Sequence, residues 1–310
     1  PPSVAKGGGP QVELEGVVFA TDGAYSGVRQ HLICHPRVDY SQSFLDYGFK
    51  ELTIPAAPGG AYRMESGGLH IWPRQNFLLI ALPDVGGSFT ATLFAPFSML
   101  ELPPEELFRQ HFPDAHALLP DLAEQWKHPT GCMVTVRLSP WHWQDRVLLL
   151  GDAAHAIVPF FGQGMNCGFE DCTVLMDLLD RHGPDWAAVF PGFEELRKTN
   201  TDAIADLSLA NLEEMKGRVD DPRFLLAKSV EKVLEREMPD DYVSAYSMIA
   251  HHRVPYRVAL EAGELQRSLL EELTRGLSDA AQLDLGHARE LVRQRLGDVM
   301  RQVRDQLVTA

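Results

Sequence analysis

A single carboxylate and two closely spaced glycines follow an apolar run in the middle of the chain. Residues 147–150 have the length and composition of a buried strand, so Asp152 is expected at the end of a sheet. An ionised aspartate only accepts hydrogen bonds, which suits the hydroxyl groups of a sugar or polyol. Gly162 and Gly164 precede an amphipathic helix predicted over residues 165–180. The free N–H groups and the positive dipole end at such a helix start favour a phosphate or a ring carbonyl.

A second Asp-Gly pair, Asp22-Gly23, lies between strand pieces predicted within residues 12–20 and a short helix predicted over residues 24–32. Gly23 permits a sharp turn from strand to helix, so the start of the helix can face an anion. Arg29 lies about one and a half turns into this helix. Its guanidinium either reaches a phosphate or pairs with an acidic neighbour, and the sequence leaves both readings open.

The longer of these stretches resembles the second FAD fingerprint of the single-component flavoprotein aromatic hydroxylases. The matching residues are Gly151-Asp-Ala-Ala-His155, Pro159, Gly162-Gln-Gly-Met-Asn166 and Gly168-Phe-Glu-Asp171. In order and spacing they are similar to the kynurenine 3-monooxygenases within that family. The resemblance implies that Asp152 binds the ribityl chain of FAD, and that Met165 and Asn166, which follow Gly164 of the flavin loop, lie against the flavin ring. The alternative is an ordinary strand–turn–helix with a glycine turn.

Residues 17–29 resemble a second motif of the same hydroxylases, in which a strand is followed by Asp-Gly and an arginine at a fixed spacing. The resemblance implies that this loop faces the pyrophosphate of FAD and helps with NADPH. Those roles then belong to Asp22, Gly23 and Arg29.

Two later segments resemble the parts of kynurenine hydroxylases that hold the amino-acid end of the substrate. Asn211 and Met215 lie one turn apart on a predicted helix, and Tyr246 lies in the segment of residues 242–248. An amide and a phenol can orient a zwitterionic carboxylate through charge-assisted hydrogen bonds. The same mapping makes three loop residues the lining of the ring end of the pocket: Pro159, Phe160 and Phe161. Without the resemblance, a surface asparagine and a tyrosine at the edge of the core would be the simpler interpretation.

The resemblance implies 3-hydroxylation of L-kynurenine in tryptophan degradation, with FAD, NADPH and O2, through a flavin hydroperoxide. In such a reaction the cofactor carries out the difficult step, and the protein orients the arene and excludes water. No side chain is therefore predicted to be catalytic. His155 is expected to fix the loop after Asp152 rather than to act as a base.

The pattern of predicted strands and helices that position these residues indicates a mixed α/β (α+β) fold. The predicted parts are the end of an FAD-binding domain (1–32), an antiparallel-sheet substrate domain (33–138), a return to the partial Rossmann-like FAD domain (139–182) and a helical C-terminal region (183–310). Strands are predicted at residues 49–54, 69–72, 77–82, 88–94 and 133–138. Helices are predicted at residues 103–127, 186–196, 202–219, 223–237, 255–276 and 288–307.

Charge and composition restrict the partners. The chain has 310 residues and a net charge of −15, which argues against nucleic acid and anionic membranes. No apolar run approaches the roughly 20 residues of a transmembrane helix. Four cysteines without close-set pairs suggest neither a disulfide framework nor a metal site, and favour a reduced intracellular setting. The cytoplasm is expected, or the mitochondrial outer membrane in a eukaryote. An apolar stripe on the last helix, ending at Leu307, packs on the domain or on a partner subunit, which allows a homodimer.

The Gly-x-Gly-x-x-Gly segment that cradles the ADP half of FAD in this family does not occur in the chain. The resemblance therefore covers the C-terminal two-thirds of a full enzyme, and the chain alone is expected to bind FAD poorly and to turn over little. Residues 1–2 and 7–9 are expected to form a loop or a cut end. Three hypotheses remain open: a kynurenine hydroxylase, a flavin hydroxylase of another aromatic acid, and a ligand-binding remnant without catalysis.

Overall fold

The computed structural model describes residues 3–4, 12–13, 15–217 and 221–308, and the protein divides into two compact units. Unit 1 comprises the described residues of 1–43, 134–211 and 220–310, and unit 2 those of 44–133 and 212–219. The loop expected at residues 1–2 and 7–9 and the helix end expected at Val219 lie outside the described residues, as does the side chain of Leu307. The division into four functional parts stays a prediction.

Strands and short helices alternate in the first half of the chain, and long helices make up the second half. The strands are β1 (Ser3–Val4), β2 (Val12–Glu13), β3 (Val18–Ala20), β4 (Asp39–Ile54), β5 (His70–Arg74), β6 (Phe77–Pro83), β7 (Phe89–Pro96), β8 (Gly131–Ser139), β9 (His142–Trp143) and β10 (Val147–Leu149). The helices are α1 (Gly27–Leu32), α2 (Phe97–Leu100), α3 (Pro104–His111), α4 (Pro113–His116), α5 (Leu122–Gln125), α6 (Asp152–His155), α7 (Gly164–His182), α8 (Trp186–Gly217), α9 (Pro222–Glu237), α10 (Ala245–His251), α11 (Tyr256–Leu273) and α12 (Leu285–Val308).

A three-stranded sheet in unit 1 leads into the Asp152 loop. Its order is β3-β10-β9, with β10 parallel to β3 and antiparallel to β9. The predicted strand β10 is confirmed, and all three of its residues are buried. Leu175 and Leu178 of α7 pack against this sheet together with the aromatic start of α8. The strand that leads into the Asp152 loop is therefore buried in a core that it shares with α7 and α8.

The C-terminal helices of unit 1 form a second apolar core. The stripe of α12 is buried in it, and its members Val292, Leu296, Val299 and Val303 are at most 2 % exposed. They pack with α11 and α9 of the same chain, as the first of the two interpretations predicts. None of the helices in the described ranges has a stretch long and apolar enough to cross a bilayer.

Two of the predicted helices are in fact one. α8 runs without a break from Trp186 to Gly217, where the sequence predicts a break at residues 197–201. The polar residues there are accommodated within the helix, because Lys198 pairs with Asp202 one turn on and Asn200 donates to the Leu196 carbonyl. Pro191 lies inside the helix as well. Conversely, residues 103–127 form three short helices, since Pro113 starts a new helix.

A five-stranded sheet has the order β5-β6-β7-β4-β8, and unit 2 contains β5, β6, β7 and most of β4. The pairs β5–β6, β6–β7 and β7–β4 are antiparallel, as expected from the alternating pattern. β4 begins at Asp39, ten residues before the predicted strand, because its first half is mostly polar and escapes a hydrophobic pattern. One face of the sheet is buried, with Leu52, Leu79 and Ala91 packed in the same core as α3 and its neighbours.

On the other face of this sheet Leu78 and Phe94 are buried, whereas apolar residues on and beside β5 and β6 are partly exposed. Leu69, Ile71 and Leu82 are 45, 47 and 48 % exposed. Ile71 lies opposite Ile80 in the β5–β6 register, and His70 lies opposite Ala81. Since side chains alternate along a strand, these apolar residues lie on one face, away from the core.

Candidate functional site

The loop that carries Asp152 starts at a strained glycine. Gly151 has φ +56° and ψ −141°, a backbone conformation that favours glycine, and a Cβ added there would meet nothing within 4 Å. Asp152 follows as the first residue of the four-residue helix α6, and its side chain is exposed. No described residue donates a hydrogen bond to its carboxylate. The strand-to-helix turn therefore presents a free acceptor at the end of β10, as the sequence predicts.

A buried carboxylate, Asp171 of α7, holds both ends of that turn. Its Oδ2 accepts the backbone N–H of Gly151 at 2.9 Å and lies 2.7 Å from Nε2 of His155. Burial raises the pKa of Asp171, but the hydrogen bond and charge of His155 and the charge of Arg197 outweigh burial and lower it. An ionised carboxylate only accepts, so Nε2 of His155 must carry the proton. His155 thus fixes the loop, as expected.

The charge of Asp171 is balanced by Arg197 of α8. The Nε of Arg197 donates to Oδ1 of Asp171 at 2.8 Å, and one terminal nitrogen lies 2.7 Å from the carboxylate of Glu170. Asp171 and Arg197 are 0 and 1 % exposed. A buried charge costs several kcal/mol unless it is paired, so this pairing is a condition for the loop to exist in its present form.

The start of α7 is held by a second, uncharged network. Oε1 of Gln163 accepts the hydroxyl of Tyr256 at 2.9 Å and the amide of Asn166 at 3.0 Å. Because Gln163 turns inward, no side chain caps the first turn of α7, whose N–H groups are left for another acceptor. Met165, in that first turn, is 70 % exposed.

The Asp22-Gly23 loop is organised by its own carboxylate. Asp22 accepts the hydroxyl of Ser26 at 2.6 Å and the backbone N–H groups of Gly27 and Val28 at 2.8 and 3.2 Å. Burial raises the pKa of Asp22, whereas these hydrogen bonds lower it more strongly. Asp22 therefore caps the start of α1. Gly23 has φ +81°, which only glycine adopts easily, and this agrees with the sharp turn predicted.

Arg29 forms no ion pair with an acidic side chain among the described residues and bonds to backbone carbonyls instead. It is 1 % exposed, and its guanidinium donates to the carbonyl of Ala153 at 2.8 Å and to the carbonyl of Ala24. It thus ties the Asp22 loop to the Asp152 loop through backbone carbonyls. A direct role of Arg29 at the pyrophosphate stays a prediction.

The residues expected at the substrate meet the other side of the same loop. Nδ2 of Asn211 donates to the carbonyl of Phe160 at 2.8 Å. The rings of Phe161 and Tyr246 lie 5.9 Å apart, and Tyr246 is 53 % exposed. Pro159 opens the short 3-10 turn that holds both phenylalanines. Met215 lies one turn beyond Asn211 on α8, is half-buried and belongs to unit 2.

Sequence reasoning missed the anchoring residues of this site. Asp171 ends the matched motif, but its partners Gly151 and His155 lie 20 and 16 residues away, and Arg197 lies on another helix. Tyr256 gave no signal at all. The available signal was the position of Asp171 on the inner face of the predicted helix, because a buried carboxylate needs a charged or hydrogen-bonding partner.

The residues present fit the flavin and ribityl portion of FAD. Asp152 provides a free acceptor for polyol hydroxyls, and the uncapped start of α7 provides N–H donors for a ring carbonyl. The exposed side chain of Met165 provides an apolar surface for a flat ring.

Comparison with known proteins also indicates FAD binding. The sequence profile of the FAD binding domain family matches residues 117–188. The kynurenine 3-monooxygenase of Myxococcus xanthus (strain DK1622) is 53 % identical over 298 residues, which is 93 % of this chain. Those of Xanthomonas oryzae pv. oryzae (strain PXO99A) and Flavobacterium johnsoniae are 44 and 43 % identical over 90 and 83 % of the chain.

Solved structures share the fold. A tetrameric form of 2-methyl-3-hydroxypyridine-5-carboxylic acid oxygenase superimposes with a TM-score of 0.56 and 23 % identity, over 71 % of this chain and 60 % of that one. PqsL, a probable FAD-dependent monooxygenase from Pseudomonas aeruginosa, gives 0.51 and 24 %, over 67 and 58 %. These similarities concern the fold alone.

The chain spans less than two thirds of the curated relatives that it matches: 64 % of the Myxococcus protein, 63 % of the Xanthomonas protein and 60 % of the Flavobacterium protein. Within that span the identity is 43 to 53 %. The chain is similar to kynurenine 3-monooxygenases over most of its length, and its residues 117–188 match the FAD binding domain family.

Proposed function

We propose that the protein is an FAD-dependent, NADPH-using monooxygenase that hydroxylates L-kynurenine to 3-hydroxykynurenine with O2. The observation that carries the proposal is the loop of residues 151–166, in which the free carboxylate of Asp152 precedes the uncapped start of α7. The relatives at 53 and 44 % identity are named kynurenine 3-monooxygenases.

Only a few residues form the proposed cofactor site. FAD reduced by NADPH supplies the oxygen-transferring chemistry when it is bound. Asp152 would accept hydrogen bonds from the ribityl hydroxyls, and the N–H groups at Gly164 and the next residues would hold a ring carbonyl. Met165 and Asn166 would contact the flavin ring. Asp22, Gly23 and Arg29 shape the neighbouring loop toward the pyrophosphate, either directly or, for Arg29, through the carbonyl of Ala153.

The substrate site uses the other side of the loop. Tyr246 has no hydrogen-bond partner for its hydroxyl among the described residues, so it can donate to the substrate carboxylate. Nδ2 of Asn211 is engaged with Phe160, which leaves its Oδ1 as an acceptor for the substrate ammonium group. Phe161 presents its ring to Tyr246 and provides an apolar wall for the arene. Pro159 completes the proposed lining, and a role for Met215 at the substrate stays a prediction.

No side chain is assigned as an acid or base. The one buried histidine next to Asp152, His155, has Nε2 committed to Asp171, so it holds the loop and has no free proton to exchange there. The protein's own contribution is binding, orientation and the exclusion of water.

A substrate panel tests the proposal on the full native chain. NADPH oxidation is measured together with hydroxylated product for L-kynurenine, salicylate and simple phenols. The proposal predicts product from L-kynurenine only. Product from salicylate or phenols and none from L-kynurenine would identify a hydroxylase of another aromatic acid.

Calorimetry separates catalysis from ligand binding alone. Titration of L-kynurenine with and without FAD is expected to show uptake of both ligands. Tight binding of L-kynurenine by a chain that takes up no flavin would identify a binding remnant instead. The named relatives are bacterial, so the mitochondrial alternative finds no support. A homodimer stays a prediction.

A further inference from the structure

The carboxylate of Asp171 has no part in the proposed reaction, yet it contacts the Asp152 turn at two points. We propose that Asp171 is a positioning residue of the FAD site, which directs the Asp152 carboxylate toward the ribityl hydroxyls by holding Gly151 and His155. The inference rests on the proposed function, because it assumes that Asp152 binds FAD.

The turn needs such an anchor. α6 has only four residues, and its internal bonds run from the N–H groups of Ala154 and His155 to the single carbonyl of Gly151, at 2.8 and 3.0 Å. A helix of one turn is not stable by itself, since nucleation costs more than one turn of bonds returns. Gly151 also has a backbone conformation that is open to many alternatives in a free chain. The direction of Asp152 is therefore set by contacts outside the turn.

One oxygen of Asp171 supplies two of those contacts, one at each end. It accepts the N–H of Gly151, immediately before Asp152, and the ring N–H of His155, three residues after it. With both neighbours fixed on one point, the chain between them has little freedom. Only Asp152, between the two anchors, extends its side chain to solvent without a partner among the described residues.

Asp171 is itself held in place from two directions. It lies on α7, a helix of 19 residues, and Arg197 of α8 donates to its second oxygen at 2.8 Å. Arg197 is fixed in turn by Glu170 at 2.7 Å and by the carbonyl of Cys167 at 3.3 Å. The anchor is thus rigid, which a positioning residue requires.

A merely structural residue would occupy the same place, so the test must separate the two roles. If Asp171 acts through Asp152, its removal weakens FAD binding only while Asp152 is present. If it only supports the fold, the losses caused by the two substitutions multiply, as they do for independent sites.

The experiment measures the FAD dissociation constant by quenching of flavin fluorescence and by equilibrium dialysis, on the full native chain. The variants are Asp171→Asn, Asp152→Ala and the double variant. Asp177→Asn is the matched control, because Asp177 lies on the same helix and is exposed. Asp171→Asn is expected to raise the constant roughly tenfold to a hundredfold, the range found for partners that orient metal ligands. Asp177→Asn leaves it unchanged, and Asp171→Asn adds nothing in the Asp152→Ala background.

A second variant covers the case in which Asp171→Asn does not fold, as judged by circular dichroism. His155→Leu removes one of the two anchors, because leucine has no donor, and leaves the Asp171–Arg197 ion pair intact. It is expected to give a smaller weakening that again disappears in the Asp152→Ala background.

Two results overturn the inference. One is an Asp171→Asn variant, or a His155→Leu variant, that binds FAD like the native chain; the other is a loss that multiplies with that of Asp152→Ala. In either case native FAD binding and hydroxylated product would leave the proposed function standing. Protein of its relatives' full length that takes up no FAD overturns both the inference and the proposed function.

Discussion

The two sides of the 151–166 loop are held in different ways. On the cofactor side, Asp171 and Arg197 form a buried ion pair, and Asp171 bonds to Gly151 and His155. On the substrate side, one hydrogen bond joins Asn211 to the carbonyl of Phe160. Tyr246 is 53 % exposed, against 0 % for Asp171. The loop is therefore held by a buried ion pair where FAD is proposed to bind, and by an uncharged hydrogen bond and the packing of Phe161 against the helical core where the substrate is proposed to bind.

This difference matches what each ligand requires. A cofactor stays bound through many turnovers, so its site gains from being preorganised. A substrate must enter and leave, so residues that meet it are often exposed when the site is empty. The comparison predicts that substitutions on the cofactor side cost stability, whereas those on the substrate side cost affinity for the substrate.

The largest expected effect is that of Asp171→Asn. It leaves Arg197 without its buried partner, and breaking a buried pair costs about 3–5 kcal/mol. The free energy of unfolding, measured with urea, is expected to fall by that amount. Asp177→Asn should differ from the native protein by less than about 0.5 kcal/mol. Equal losses in the two variants would show that the buried network is not what stabilises the loop.

The pH dependence of that loss is fixed by the lowered pKa of Asp171. A carboxyl group whose pKa is lower in the folded state stabilises the protein above its ordinary value of 3.8, and this stabilisation is lost as the pH falls through the folded-state pKa. The gap in unfolding free energy between the native protein and Asp171→Asn should therefore be constant above pH 5 or so and shrink below 3.8. A gap that widens in acid would contradict the ionised state assigned to Asp171.

Gly151→Ala is expected to have the next largest effect. The Cβ has open space, so the cost comes from the backbone conformation and is about 1–3 kcal/mol. Gly168→Ala on α7 is the matched control: its Cβ also meets nothing, but its conformation is helical, so it should gain up to about 1 kcal/mol. Thermal unfolding of both variants checks the difference in sign.

Tyr256→Phe tests the uncharged network around Gln163, and its expected effect on stability is smaller. The substitution removes the bond to Gln163 and is expected to cost about 0.5–1.5 kcal/mol in urea unfolding. The Gln163–Asn166 bond remains, so FAD binding should weaken less than in Asp171→Asn. A loss of FAD affinity as large as that of Asp171→Asn would show that both networks position the cofactor equally.

Tyr246→Phe should have the smallest effect on stability and a clear one on the substrate. Its hydroxyl has no partner among the described residues, so the unfolding free energy should change by less than about 0.5 kcal/mol. The KM for L-kynurenine should rise about tenfold or more, because a hydrogen bond to a charged group is lost. Unchanged KM with unchanged stability would remove Tyr246 from the proposed substrate site.

The sequence predicted the elements of the site better than the contacts between them. The strand before Asp152 and the helix after Gly164 follow from a short apolar run and from helical periodicity, which are local signals. The fixation of Arg29 by the Ala153 carbonyl was not predictable, because it joins residues 124 positions apart. The continuity of α8 was missed since an ion pair and a side-chain bond within the helix outweigh the low helix propensity of its polar residues. Contacts between residues that are far apart in the chain leave no periodic pattern in the sequence.

The most direct test of the central claim is FAD retention by Asp152→Ala. The native chain, Asp152→Ala and the exposed control Asp145→Ala are incubated with FAD and dialysed to equilibrium, and bound flavin is read by its absorbance. The account predicts native-like flavin binding in Asp145→Ala and at least a tenfold weaker binding in Asp152→Ala, since about 1.5–3 kcal/mol is lost with a charge-assisted hydrogen bond. Equal flavin binding by Asp152→Ala and the native chain would contradict it.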